Sequence, residues 1–174
     1  MISMKNIGVY LLLAFAAFNS ASYAEQAVAE AKVKVEVKSI FKMSLDRADI
    51  NFRDMLPGQT RENIPETGIK VTSYSNTGRQ WFIKLNTVSD LRDGERTIDS
   101  KYFQWYGWTE GKGKWTGTGG DVFKQTPALA YISDSSEYVN LPNGVDNYFK
   151  FRLTVPQNQV AGFYETIVQF TMTE

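Results

Sequence analysis

The chain has 174 residues, 43% hydrophobic and 14% aromatic, with 19 basic and 19 acidic side chains and no net charge. That balance gives no electrostatic reason to expect a nucleic acid or an anionic membrane as partner. Cysteine and histidine are both absent, which removes Ser-His-Asp and Cys-His catalysis, leaves zinc and copper without their usual ligands, and rules out disulfides as supports of the fold.

The first predicted element is a leader. Lys5 supplies a short positive start, Ile7 to Phe18 an apolar run, and Ser22-Tyr23-Ala24 the small residues a signal peptidase reads. The run falls short of the about 20 residues a membrane helix needs. Residues 1–24 are therefore expected to be a cleaved signal peptide. The mature chain, from Glu25, is expected to be secreted, extracellular or at the cell surface, with no membrane insertion.

From Ala31 the odd positions read Ala31, Val33, Val35, Val37, Ser39, Phe41, Met43 and Leu45, and the even ones Lys32, Lys34, Glu36, Lys38, Ile40, Lys42 and Ser44. A period of two with β-branched residues points to extended backbone. At about 3.3 Å per residue this stretch would span roughly 50 Å, whereas strands usually run about 3 to 10 residues. Either it bends near Ser39 within its own domain, or residues 25–39 form an extension ahead of a domain at 40–174.

Shorter elements follow. Ile50 and Phe52 precede the turn Leu56-Pro57-Gly58-Gln59, and Ile69 to Ser75 alternates up to the turn Asn76-Thr77-Gly78. Trp81, Ile83 and Leu85 share one face of the next strand. Thr97 to Trp108 reads as one extended run, with Phe103 and Trp105 facing a core and Tyr102, Tyr106 and Trp108 facing outward. The glycine-rich loop Thr109 to Gly120 carries Trp115. Ala128 to Ser133 is a short strand, Phe149, Phe151, Leu153 and Val155 alternate in another, and the last sets Tyr164, Thr166, Val168, Phe170 and Met172 on one side. No amphipathic helix is evident. Eight or nine strands in one exported domain predict an all-β fold, a single β-sandwich of immunoglobulin-like or jelly-roll type.

The stretch VPQNQVAGFYETIVQFTMT, residues 155–173, stops a strand at Pro156, turns at Ala161-Gly162 and reopens at Tyr164. This Ala-Gly-x-Tyr pattern resembles the closing strand of bacterial pilin-like sandwiches, the spore-coat-U and archaic chaperone–usher subunits. Many of those carry a cysteine pair that this chain lacks. The Pro-Gly-Gln turn, with a later strand running into Ser75-Asn76-Thr77-Gly78-Arg79-Gln80-Trp81, also looks like secreted sandwich domains of surface and matrix proteins. The resemblance implies a structural subunit of a surface filament.

Two site readings come from the residues. In the first, the segment 27–39 is a donor strand. Ala31, Val33, Val35 and Val37 fill alternate pockets of another copy, whose acceptor groove includes Val168 and Phe170, so that a head-to-tail homopolymer grows. In the second, Trp105, Tyr106, Trp108 and Trp115 form a carbohydrate-binding or adhesin surface that stacks on polysaccharide. The carboxylates Asp90, Asp93, Glu95 and Asp99, with Asp134 and Glu137, read as solvated loop tips whose spacing fits no EF-hand. No nucleophile–base constellation is present, so neither catalysis nor a cofactor or metal is expected.

Overall fold

The computed structural model describes residues 29–174; the expected signal peptide lies outside the described residues. The chain divides into two units between Glu36 and Val37. Residues 29–36 carry neither strand nor helix and are exposed throughout. The alternation from Ala31 to Leu45 yields a strand only from Phe41 onward, so the expected long strand bent at Ser39 does not form.

The second unit is an all-β sandwich. Its strands are β1 (Phe41–Leu45), β2 (Thr60–Glu62), β3 (Ile69–Ser75), β4 (Phe82–Thr87), β5 (Leu91–Asp93), β6 (Arg96–Ile98), β7 (Phe103–Thr109), β8 (Lys114–Trp115), β9 (Asp121–Val122), β10 (Ala128–Ile132), β11 (Val145–Thr154) and β12 (Val168–Thr173). The number exceeds the expected eight or nine because β2, β5, β6, β8 and β9 are too short to print an alternation. One sheet runs β1-β3-β11-β7-β9, with β2 taking over from β3 along the second half of β11. The other runs β12-β4-β10-β8, and β5 with β6 makes a separate hairpin.

Burial follows the pleat. Along β11, Val145, Asn147, Phe149, Phe151 and Leu153 are buried and each residue between them is only partly so, because successive side chains point to opposite faces. Trp81, Ile83 and Leu85 enter the same core from β4 and the residue before it, and Phe103 and Trp105 from β7.

Two expected strands are shorter than their alternation. The run from Thr97 breaks where β6 pairs back on β5. A 3-10 turn at Ser100–Tyr102 follows, started by the Asp99 carboxylate accepting the Lys101 N–H at 2.9 Å. The final strand begins at Val168, not at Tyr164. Before it, Glu165 exchanges backbone bonds with Arg92 at 2.8 and 3.0 Å, and the Tyr164 hydroxyl turns back to donate to the Val160 carbonyl at 2.8 Å.

The sequence β1-β3-β11-β7 in one sheet and β12-β4 in the other follows the A-B-E-D and F-C order of immunoglobulin sandwiches. A tyrosine that bonds back to the backbone just ahead of strand F is a hallmark of that fold. In this correspondence β12 is strand F. Among the described residues no strand pairs with its outer edge, where strand G of an immunoglobulin domain runs.

Candidate functional site

The two sheets pack face to face. Phe170 of β12 packs on Phe149 of β11 with ring centroids 4.9 Å apart, and Trp115 of β8 meets Trp105 of β7 at 6.1 Å.

Each sheet ends in a strand whose outer edge pairs with no other strand among the described residues, β1 in the first and β12 in the second. The register of β1 on β3 pairs Phe41 with Ser75, Met43 with Ser73 and Leu45 with Val71. All three β3 residues are buried, so this row of β1 faces inward, yet Phe41 remains 36% and Leu45 43% exposed. In the other sheet, β12 pairs Val168 with Thr87, Phe170 with Leu85 and Met172 with Ile83. These partners are buried as well, while Val168, Phe170 and Met172 are only partly so. The alternate residues Lys42, Ser44, Gln169, Thr171 and Thr173 face the other way, as the period of two requires. The buried hydroxyls of Ser73, opposite Met43, and Thr87, opposite Val168, find no protein partner. Two apolar rows beside unpaired backbone edges are suited to receive an extended segment with apolar residues at alternate positions.

Val168 and Phe170, the residues expected of an acceptor groove, lie in the partly buried row of the edge strand β12. The half-exposed row of the other edge strand, β1, was not expected. Met172 shares the row of Phe170 and was legible from the same alternation. Phe41, Met43 and Leu45 were not, because their pattern runs without a break from the valines ahead of them. Of the candidate donor residues, Ala31 is exposed and Val33, Val35 and Val37 are 90%, 85% and 78% exposed.

The aromatic quartet divides. Trp105 is 1% exposed, and Trp115 packs against it and against Phe149 at 5.2 Å. Trp105 offers no face to a ligand, which corrects its assignment to a sugar surface: parity turns it inward, while Trp115, partly buried, anchors the glycine-rich loop over the core. At Gly107 a Cβ would run into the backbone carbonyl of Tyr148 on the neighbouring strand and would also lie 3.1 Å from Trp115 Cζ2. Tyr106 and Trp108 do face outward. Trp108, 43% exposed, stacks on its cross-strand neighbour Tyr148 at 4.7 Å, and the Lys150 ammonium lies over the same indole at 5.5 Å. The Tyr106 hydroxyl donates to Glu62, which also pairs with Arg152 Nε at 2.7 Å. Partial burial, then the Glu62 carboxylate, pushes the Tyr106 phenol up to about 12.

The carboxylates serve loops. Asp90 accepts the Ser100 N–H at 2.9 Å, Asp93 pairs with Arg96, and Asp99 pairs with Lys101 at 3.0 Å. Asp134 starts a 3-10 turn, and the Ser136 amide N–H holds its carboxyl below the ordinary range. Glu137 is not the solvated tip expected of it. It is 5% exposed and accepts the Tyr131 hydroxyl at 2.6 Å, the Lys112 N–H at 2.6 Å and the Asp134 N–H at 2.9 Å. Burial, then this carboxylate, raises the Tyr131 phenol well above its usual range. Among the described residues no group of three or more acidic side chains could hold a metal ion. The chain matches no protein-family model and no curated protein.

Proposed function

We propose that the protein is an exported structural subunit of an extracellular filament or surface matrix, polymerised by strand donation between copies. The observation that supports this best is that β12 ends its sheet with no strand on its outer edge among the described residues, while its apolar row Val168, Phe170 and Met172 is only partly buried. Residues 31–37 present the complementary pattern: alternating apolar side chains in extended spacing, separated by Lys32, Lys34 and Glu36. Inserted beside β12, they would satisfy its unpaired backbone groups and extend its apolar row. The lysines and the glutamate would stay in water and discourage pairing in the wrong register. Because the donating and receiving surfaces differ, the contact does not close on itself and a filament results.

The reading is tested by negative-stain microscopy of the purified chain from Glu25 onward, beside the same chain starting at Lys38. The longer chain should form thin, uniform fibres, and the shorter should remain a folded monomer. Absence of fibres from the first, or fibres of equal yield from the second, would overturn it.

A further inference from the structure

The residues just ahead of β1 are exposed, yet they are tied down. Asn76, the first residue after β3, uses both ends of its carboxamide on them: Nδ2 donates to the Lys38 carbonyl at 2.9 Å, and Oδ1 accepts the Ile40 N–H at 2.6 Å. The Asn76 backbone N–H adds a bond to the Ile40 carbonyl at 3.0 Å. The ladder between β1 and β3 begins only at Phe41 opposite Ser75, so these bonds extend order beyond the strand. The corner that carries Asn76 is itself braced. Ser75 exchanges bonds with Asn140, accepted by Oδ1 at 2.8 Å and returned from the Asn140 N–H at 3.0 Å, and the Gly78 N–H reaches the Tyr138 carbonyl at 3.3 Å.

Exposed residues leading into a first strand ordinarily fray, since ordering them costs conformational entropy and buries nothing apolar. Here three residues are held by a side chain whose donor and acceptor must both be present and correctly oriented. A carboxylate could serve Ile40 but not Lys38; a hydroxyl is too short to bridge the two. The clamp stops at Lys38, one residue after the last valine of the alternating segment.

We infer that Asn76 is the positioning residue of the joint between successive subunits: by holding Lys38 to Ile40 it removes the flexible linker between a donated strand ending at Val37 and the sandwich that donates it. The inference rests on the strand-donation reading. A joint without slack transmits orientation from one subunit to the next, so the filament is stiff. A joint with a few free residues behaves as a swivel, because flexible linkers lose directional memory within a few bonds.

The experiment compares filaments of the full mature chain with those of Asn76→Ala, Asn76→Asp and a variant carrying two glycines inserted between Val37 and Lys38. The readouts are persistence length by microscopy and amide exchange at Ser39 and Ile40 in unassembled protein. Asn76→Ala is expected to assemble in normal yield, with faster exchange at Ile40 and a persistence length lower by half or more. Asn76→Asp, which keeps the acceptor for Ile40, should fall between. The glycine insertion leaves every Asn76 bond in place and should soften the filament without changing thermal stability, an effect that a purely stabilising role for Asn76 would not produce. Filaments of Asn76→Asp and of the insertion variant as straight as wild type would overturn the inference while leaving strand donation standing. If wild-type protein forms no filaments, the strand-donation reading itself fails.

Discussion

Replacing Val33, Val35 and Val37 together by alanine separates strand donation from any role within the same molecule. The three side chains are 90%, 85% and 78% exposed in the single chain, so almost all of their apolar area is available to be buried on assembly. Each Val→Ala change removes the equivalent of two methylene groups, about 1.6 kcal/mol at about 0.8 kcal/mol per group. The triple change is therefore worth about 5 kcal/mol, between three and four decades in the association constant at about 1.4 kcal/mol per decade. The critical concentration for assembly, measured by sedimentation, should rise by about three decades. Thermal unfolding of the unassembled sandwich should stay within about 0.5 kcal/mol of wild type, as for other exposed substitutions. Assembly at the wild-type concentration would refute the assignment of these valines to acceptor pockets. A large loss of stability in the monomer would show instead that they belong to their own core.

Trp105→Ala should cost roughly 3 to 5 kcal/mol in denaturant unfolding, as a buried ring removed from a packed core, while Trp108→Ala should cost only about 1 kcal/mol through its stack on Tyr148; equal losses would contradict the inward and outward assignment. Glu137→Ala leaves the Tyr131 hydroxyl and two backbone N–H groups without their acceptor, and urea unfolding should show a loss of about 3 kcal/mol, with faster amide exchange at Lys112 and Gly113. The Tyr106 phenol is raised in the fold from 10.0 to about 12, so the neutral form is the one the fold favours. Its contribution is present below pH 10 and is lost as pH rises toward 12; phenolate absorbance should show Tyr106 and Tyr131 ionising late, and Tyr106→Phe should remove one of those late ionisations while leaving that of Tyr131.

The legible part of this chain was whatever repeats every two residues over five or more positions. β3, β4 and β11 followed from alternation alone, as did the inward direction of Phe103 and Trp105, because burial of one face of a strand is a local property. Contacts set by distant residues were not legible. The hairpin of β5 and β6 interrupts the run from Thr97, and Glu165 is held by Arg92 more than seventy positions away, not by an extension of β12. Glu137 looked like a loop carboxylate because nothing in Ser133-Asp134-Ser135-Ser136-Glu137 announces that the Tyr131 hydroxyl and the Lys112 amide will converge on it. Its spacing from Asp134 was the one available signal, since an acidic residue three positions after a capping Asp can close a capping box.

Shared parity explains why the leading alternation resisted division. Val33, Val35 and Val37 share parity with Phe41, Met43 and Leu45, and a period of two carries no mark of which sheet a strand completes. What separates the two sets is the clamp at Asn76, a side-chain contact across 36 to 38 positions that no periodicity encodes. Composition then argues for the order of events on the proposed reading. Ahead of the clamp, Lys32, Lys34, Glu36 and Lys38 charge every alternate position, which keeps a free strand soluble and unlikely to pair with the wrong edge. Behind it, Lys42 is the only charged residue of β1, as suits a strand already paired on one side with β3. A segment that must wait in water for another copy needs the charges; a segment that folds with its own sheet does not.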